Sequence, residues 1–401
     1  MKCGRLSRRA IAHKGVEEVI LGAVHCHTVI VGAGPAGLAV GACLKRAGSP
    51  YLILERSTQV ASAWRRHYRR LHLHTDKAHS ELPYSGYPRD YPRYPSRLQV
   101  IEYLEAYARD LELEIRFGQE VGAAQRANGH WDVHTQDSLY QTPNLVIAAG
   151  YNRVPYLPTW PEQSSFRGGL LHSSQYEDGE PFRNQDVLVV GFGNSGGEIA
   201  MDLHEHGARP SLAVRGPVNV IPRELLGIPI LSIAILQQKL PPRLADALNA
   251  PILRAVIGDL SRFGLRTSAQ GPMTQVHRDA HIPLIDVGTI GLIKQGRITV
   301  CPGIERLTDD GVTFTDGSHR HFDAVILATG YRPRVDAFLG DASAALGAEG
   351  TPASSGCESR VPGLYFCGYR VSATGMFREI ALEARRIGDH IARGMRALQR
   401  R

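Results

Sequence analysis

Paired cysteines are missing from this chain. Its six cysteines, Cys3, Cys26, Cys43, Cys301, Cys357 and Cys367, form no CxxC or CxxxxC pair. That excludes a scaffold built on disulfides and a dithiol relay, and the scatter fits a reducing compartment such as the cytoplasm. Long apolar runs are missing too. The longest, Leu225 to Leu236, is broken by Gly227, Pro229 and Ser232, and it is shorter than the roughly 20 residues that a membrane-spanning helix needs. A buried helix or channel wall is the expected use of this stretch, ahead of peripheral membrane contact. No apolar core follows the basic start Lys2, Arg5, Arg8 and Arg9 before Glu17 and Glu18, so residues 1–24 are expected to form a flexible extension and not a signal peptide. The net charge of +7 is spread along the chain. A nucleic-acid surface would gather it into a patch, whereas anionic small ligands need only a positive potential. His72, His74 and His79 have no second ligand group at a metal-binding spacing, and no metal site is expected.

What is present is ordinary in bulk and specific in pattern. At 401 residues, with 43% apolar and 21% charged, the chain can fill two or three domain cores. The run His27–Val31 (HTVIV) reads as a buried parallel strand. It enters Gly32, Ala33, Gly34, Pro35, Ala36 and Gly37, and a helix follows to about Ala47. A second strand, Tyr51–Leu54, ends at Glu55, near the offset of about 20 residues at which a dinucleotide fold places its ribose-binding acid. Gly32 permits the tight turn, Gly34 lets the backbone approach a pyrophosphate, and Gly37 lets helix and strand pack closely.

The pattern then repeats. Val187–Val190 leads into Gly191, Phe192, Gly193, Asn194, Ser195 and Gly196, a helix runs to about His206, and Ser211–Arg215 gives the next strand. Arg215 now stands where the acid stood. A cation there suits a 2'-phosphate, so this half is expected to prefer NADPH, while Glu55 in the first half suits an adenosine without a 2'-phosphate, such as that of FAD or NAD. Asn144–Gly150 and Asp323–Tyr331 look like paired crossovers at which the chain leaves one domain, builds the second as an insertion, and returns. The expected fold is therefore α/β with two Rossmann-like domains, the NADPH domain (151–320) inserted into the FAD domain (25–150 and 321–401). A last strand, Leu364–Gly368, and a helix from about Phe377 to Leu398 close the chain.

Between the fingerprints, Phe166, Gly168, His172 and Tyr176 occupy every fixed position of FxGxxxHxxxY. On this motif the chain resembles the flavin-containing monooxygenases. Related Baeyer–Villiger enzymes carry tryptophan at the last position, where this chain has Tyr176. The chain is most similar to the YUCCA-type members through His72–His74, Tyr94–Ser96, Pro222–Leu225, Gly264–Arg266, Gly271–Pro272, Ile285–Gly288 and Leu327–Tyr331, over about residues 27–395.

The resemblance implies hydride transfer from NADPH to FAD, oxygen activation as a flavin C4a-hydroperoxide, and oxidative decarboxylation of indole-3-pyruvate or a similar 2-oxo acid. The alternative is N- or S-oxygenation of a small nucleophile. The partners are then a small-molecule substrate and O2. The cofactor does the hard step, so no catalytic side chain is assigned. Arg223 and Arg378 are candidates to hold a substrate carboxylate, and Trp64 is expected beside the flavin. Two departures stand out: Ala61-Ser62-Ala63 replaces the usual glycines before that tryptophan, and Leu71–Thr75 carries no clear counterpart of the asparagine that animal-type and yeast-type members place near the flavin, which counts against simple amine or sulfide oxygenation. His172 and Tyr176 are read as braces of the interdomain connection. The 225–260 segment is left as a lid, a homodimer contact or a membrane patch.

Overall fold

Short β-branched and leucine-rich strands build two parallel sheets, and Thr28–Val31 and Asp186–Val190 run directly into glycine turns. The computed structural model describes residues 23–340 and 342–399. Most of the expected extension, residues 1–22, lies outside the described residues. Val24, assigned from sequence to that extension, already pairs with Tyr140 beside His25 and Gln141, so a strand takes in the boundary.

The first domain contains β1 (Thr28–Val31), α1 (Pro35–Arg46), β2 (Leu52–Leu54), α2 (Arg97–Asp110), β3 (Ile115–Arg116) and β4 (Asn144–Ile147). Their apolar residues run without alternation because both faces of the sheet are covered. Helices carrying Leu38, Leu44, Leu104 and Ile387 lie on one face, and an antiparallel sheet carrying Trp131 and Val133 lies on the other. α2 starts at a capping box formed by Ser96 and Gln99, which satisfies two amides that a helix start leaves unpaired. Arg97, in its first turn, donates to the carbonyls of Arg65 (2.9 Å) and His67 (2.8 Å), tying down the segment that carries Trp64 and Tyr68.

The second domain supplies β5 (Gly169–His172), β6 (Asp186–Val190), α3 (Asn194–Glu205) and β7 (Arg209–Ala213). It continues with α4 (Ile230–Gln237), α5 (Pro242–Ile257), α6 (Pro272–Asp279), β8 (Thr299–Cys301) and β9 (Ala324–Leu327). Its sheet order is β5-β9-β6-β7-β8, all parallel. This corrects the expected boundary at 320/321. β9 sits between β5 and β6, because its buried AVIL run needs neighbours on both sides, and the return to the first domain falls after it, near Gly330. The chain then adds β10 (Leu364–Phe366) beside β4 and ends in α7 (Met376–Gln399), giving the first sheet the order β10-β4-β1-β2-β3.

Exit and return run side by side. Val154–Pro155 pairs antiparallel with Tyr331–Arg332, so the two crossovers form one two-stranded link. No helix among the described residues is long and apolar enough to cross a membrane.

Candidate functional site

Both fingerprint helices point their amino ends at one cavity of about 570 Å³. From the first fingerprint Gly32, Gly34, Pro35 and Ala36 line it, with Glu55 and Trp64; from the second, Asn194 and Ser195 do. Ala33 is buried behind the turn. Gly37, Gly191, Phe192, Gly193, Gly196 and Arg215 lie outside this lining.

The glycines separate by what surrounds them. A methyl on Gly37 would stand 1.8 Å from the Gly32 carbonyl oxygen, and one on Gly196 would stand 2.2 Å from that of Gly191, so both are demanded by packing. Gly34 and Gly193, the N-caps of α1 and α3, have nothing within 4 Å of that point. Their glycines answer to something that approaches from outside. Neither helix has a side-chain cap, and the uncapped amides and helix dipole form an anion site at each end. The residues present therefore fit a pyrophosphate at both places.

Glu55 is buried and already oriented. Its Oε2 accepts from the Ala33 amide at 2.7 Å, and its Oε1 from the Ser57 amide at 3.0 Å and the Ser57 hydroxyl at 2.9 Å. The carboxylate thus staples the glycine turn to the end of β2. Beside it Ala61 takes φ 60°, the left-handed region that favours glycine. The alanine costs about 1 kcal/mol of strain and keeps the turn.

At the end of β7, Arg215 is exposed, and Arg266 donates to its backbone carbonyl at 3.4 Å. Neither guanidinium forms an ion pair among the described residues. Two free cations stand here where one was expected. The signal for the second was available in Gly264–Arg266, but nothing in spacing alone ties residue 266 to residue 215.

The spacer residues act as braces and line no part of the cavity. Phe166 packs at the edge of a buried cluster around Phe314. A Cβ on Gly168 would strike the Phe166 ring at 2.4 Å and the Asp323 carbonyl at 2.6 Å. His172 joins the Gly330 carbonyl at 3.1 Å and the Ser174 hydroxyl at 3.0 Å. Tyr176 donates to Asp202 at 2.6 Å, and burial beside that carboxylate pushes its phenol far up.

The far end of the cavity is apolar. Ile230, Leu231, Ile233 and Ala234 of α4 face Ile252 and Leu253 of α5, with Met273 and Val276 of α6. Gln237 and Asn249 exchange two hydrogen bonds across this wall, at 3.0 and 2.8 Å. The 225–260 segment is thus a chamber wall on its inner side. Its outer side still exposes Leu236, Leu244 and Leu248.

Neither carboxylate candidate reaches the cavity. The Arg223 guanidinium stacks 4.1 Å from the Tyr94 ring centre, and Arg378 is drawn to Glu379 at 3.4 Å. Arg66 lines the wall instead and forms no ion pair among the described residues.

His67 also lines the cavity. Burial, with Arg97 and Arg66 nearby, lowers its pKa below the ordinary 6.5, and burial lowers His172 as well. The unfolded chain binds these protons at about pH 6.5 while the folded chain refuses them, so stability is present above that pH and is lost as pH falls toward the folded values. The melting temperature should drop from pH 7 to pH 5, and His67→Gln should make that slope shallower. Equal slopes in thermal melts would show that the folded imidazole accepts its proton.

Comparisons with known proteins follow this geometry. Residues 29–222 match the family described as pyridine nucleotide-disulphide oxidoreductase, although the five described cysteines are all free. The chain is 44% identical over 319 residues to the indole-3-pyruvate monooxygenase YUCCA1 of Oryza sativa subsp. japonica, covering 78% of this chain and 79% of that one. Among solved structures, a flavin-containing monooxygenase from Stenotrophomonas maltophilia superposes with TM-score 0.72 at 22% identity, covering 93% of this chain and 99% of that one. OTEMO, solved in complex with FAD and NADP, gives TM-score 0.71 at 16% identity, over 94% and 87% of the two chains.

Proposed function

The chain belongs to the YUCCA-type indole-3-pyruvate monooxygenases, and from that membership we propose that it oxidatively decarboxylates indole-3-pyruvate or a similar aryl 2-oxo acid to the shortened acid. It is an oxidoreductase of the flavin monooxygenase class, using FAD and NADPH. The observation that carries the reading is the single cavity reached by both fingerprint helices and closed at one end by apolar side chains.

The α1 amino end and Gly34 would take the FAD pyrophosphate, with Glu55 facing its ribose. The α3 amino end would take that of NADPH, with Arg215 and Arg266 at the 2'-phosphate. FAD bound there supplies two-electron and oxygen chemistry that no side chain can perform. The residues bind, orient and dry the site. Ile233, Ile252 and Val276 offer a flat apolar ring its surface and keep out water that would divert the oxygen chemistry to hydrogen peroxide. Arg66 offers a cation to an anion in the cavity. The free, scattered cysteines favour the cytoplasm, and the exposed leucines of α4 and α5 give a second copy or a membrane surface a face to meet.

Purified, FAD-loaded protein should convert indole-3-pyruvate to indole-3-acetate with NADPH and air, one NADPH per product, after correction for spontaneous decay of the acid. Mass spectrometry of the product decides. NADPH oxidation that yields only hydrogen peroxide would move the substrate to amines or sulfides, to be N- or S-oxygenated.

A further inference from the structure

Helix α3 hides an acid that its fingerprint does not need. Glu198 is 4% exposed, and a buried carboxylate costs several kcal/mol unless its oxygens are matched. Both are matched from the other domain: Tyr68 Oη donates to Oε2 at 2.7 Å, and His74 Nε2 lies 3.0 Å from Oε1. An ionised carboxylate only accepts, so Nε2 carries the hydrogen and Nδ1 keeps its lone pair. Nδ1 has no hydrogen-bond partner among the described residues. His74 and Tyr68 both line the cavity, as does Ser195 at the start of α3. Further along the same helix face Asp202 takes Tyr176, and Glu205 takes Arg70. These two contacts only tie surfaces together, whereas the Glu198 contact ends in a cavity group that can exchange a proton.

We propose that His74 hands protons into the cavity through Nδ1, and that Glu198 is its positioning residue, reaching across the domain boundary to fix the imidazole's tautomer and direction. The inference rests on the reading of the chain as a 2-oxo acid monooxygenase. That reaction converts the 2-oxo acid, NADPH, O2 and one proton into the shortened acid, carbon dioxide, NADP and water. Two electrons come from NADPH and two from the carbon–carbon bond that breaks. One oxygen atom enters the new carboxylate, and the other leaves as water and takes up the proton. A drying cavity cannot draw that proton from bulk solvent at the moment of need. His74 as imidazolium gives it from Nδ1 to the departing oxygen and is recharged from solvent once the site opens. Because Glu198 belongs to the second domain and His74 to the first, the donor is aimed only while α3 lies against residues 68–74.

The first test needs neither cofactor nor substrate. Nitrogen NMR of histidine-labelled protein should show His74 protonated at Nε2 in the wild type. In Glu198→Gln, whose amide can donate to Nε2, the signal should shift to the Nδ1–H form or a mixture; an unchanged tautomer overturns the proposal. The second test uses the FAD-loaded enzyme. His74→Ala should slow product formation about 100-fold, within the usual range for a lost general acid. NADPH should still be consumed, now to hydrogen peroxide, and free imidazole should restore part of the product. His74→Asn serves if the alanine variant does not fold. Product formation within threefold of wild type in a folded, FAD-bound variant overturns the role. If the wild type makes no acid from any 2-oxo acid, the functional reading fails by itself, and the tautomer result still stands.

Discussion

Gly34→Ala should purify as a folded protein that has lost its flavin. The backbone at residue 34 sits at φ −83° and ψ −176°, a conformation open to any residue, and its missing side chain has nothing within 4 Å. The apo-protein should therefore melt within a few degrees of wild-type apo-protein. The added methyl projects where a pyrophosphate would meet the α1 amides. Each charge-assisted hydrogen bond lost is worth about 1.5–3 kcal/mol, or roughly 10- to 100-fold in affinity. Flavin absorbance per mole of protein after gel filtration measures the effect. Gly37→Ala should fail differently, as insoluble chain, because its methyl would overlap the Gly32 carbonyl, which belongs to backbone and cannot step aside. A Gly34→Ala protein that keeps stoichiometric FAD would mean that the open space there is not a ligand's space.

Arg215→Ala should raise the KM for NADPH by about 10- to 100-fold while changing that for NADH less than threefold. The side chain is exposed and its guanidinium forms no ion pair among the described residues, so removing it disturbs little of the fold. What it removes is a planar, permanently charged donor set suited to a phosphate dianion, and NADH has no phosphate at that place. Arg266, which holds the Arg215 carbonyl, should show the same selectivity at smaller size in Arg266→Ala, with the double variant the most NADH-tolerant. Steady-state rates with both nucleotides give the ratio. An equal rise for the two would place the arginines on the common part of the nucleotide or in the fold.

Much of the fold was legible because its signals are local. HTVIV and DVLVV are too apolar and β-branched to lie anywhere but inside a parallel sheet, and each runs into glycines whose spacing only one turn geometry uses. The expected last strand, Leu364–Gly368, and helix, about Phe377 to Leu398, lie close to the observed Leu364–Phe366 and Met376–Gln399. The placement of Ala324–Leu327 was misjudged because an AVIL run says that it is central, not which sheet it centres; only its register against Val187–Val190 decides that. In the site, Glu55 stood out because it ends the next strand at the offset of about 20 residues past the first glycine at which a dinucleotide fold places its acid. Glu198 did not, because its partners lie 130 and 124 positions away. The trace it left was an acidic stripe at 198, 202 and 205 on a helix face that must be inward, where charge is costly unless matched. Arg223 and Arg378 were attractive as free cations, and each is engaged by a neighbour that sequence spacing does not single out as a partner: an aromatic ring three-dimensionally above it in one case, the next residue's carboxylate in the other.

The antiparallel pairing of Val154–Pro155 with Tyr331–Arg332 has a consequence for modularity. The two cut ends of the inserted domain are neighbours, so the whole insertion could be excised and its host rejoined by a short turn without stretching any strand of the host sheet. Conversely, the excised piece carries adjacent termini and could be grafted into another host at a hairpin. Such an exchange would leave the host sheet, the first fingerprint and Glu55 in place, whereas the apolar chamber wall and Glu198 would travel with the insertion.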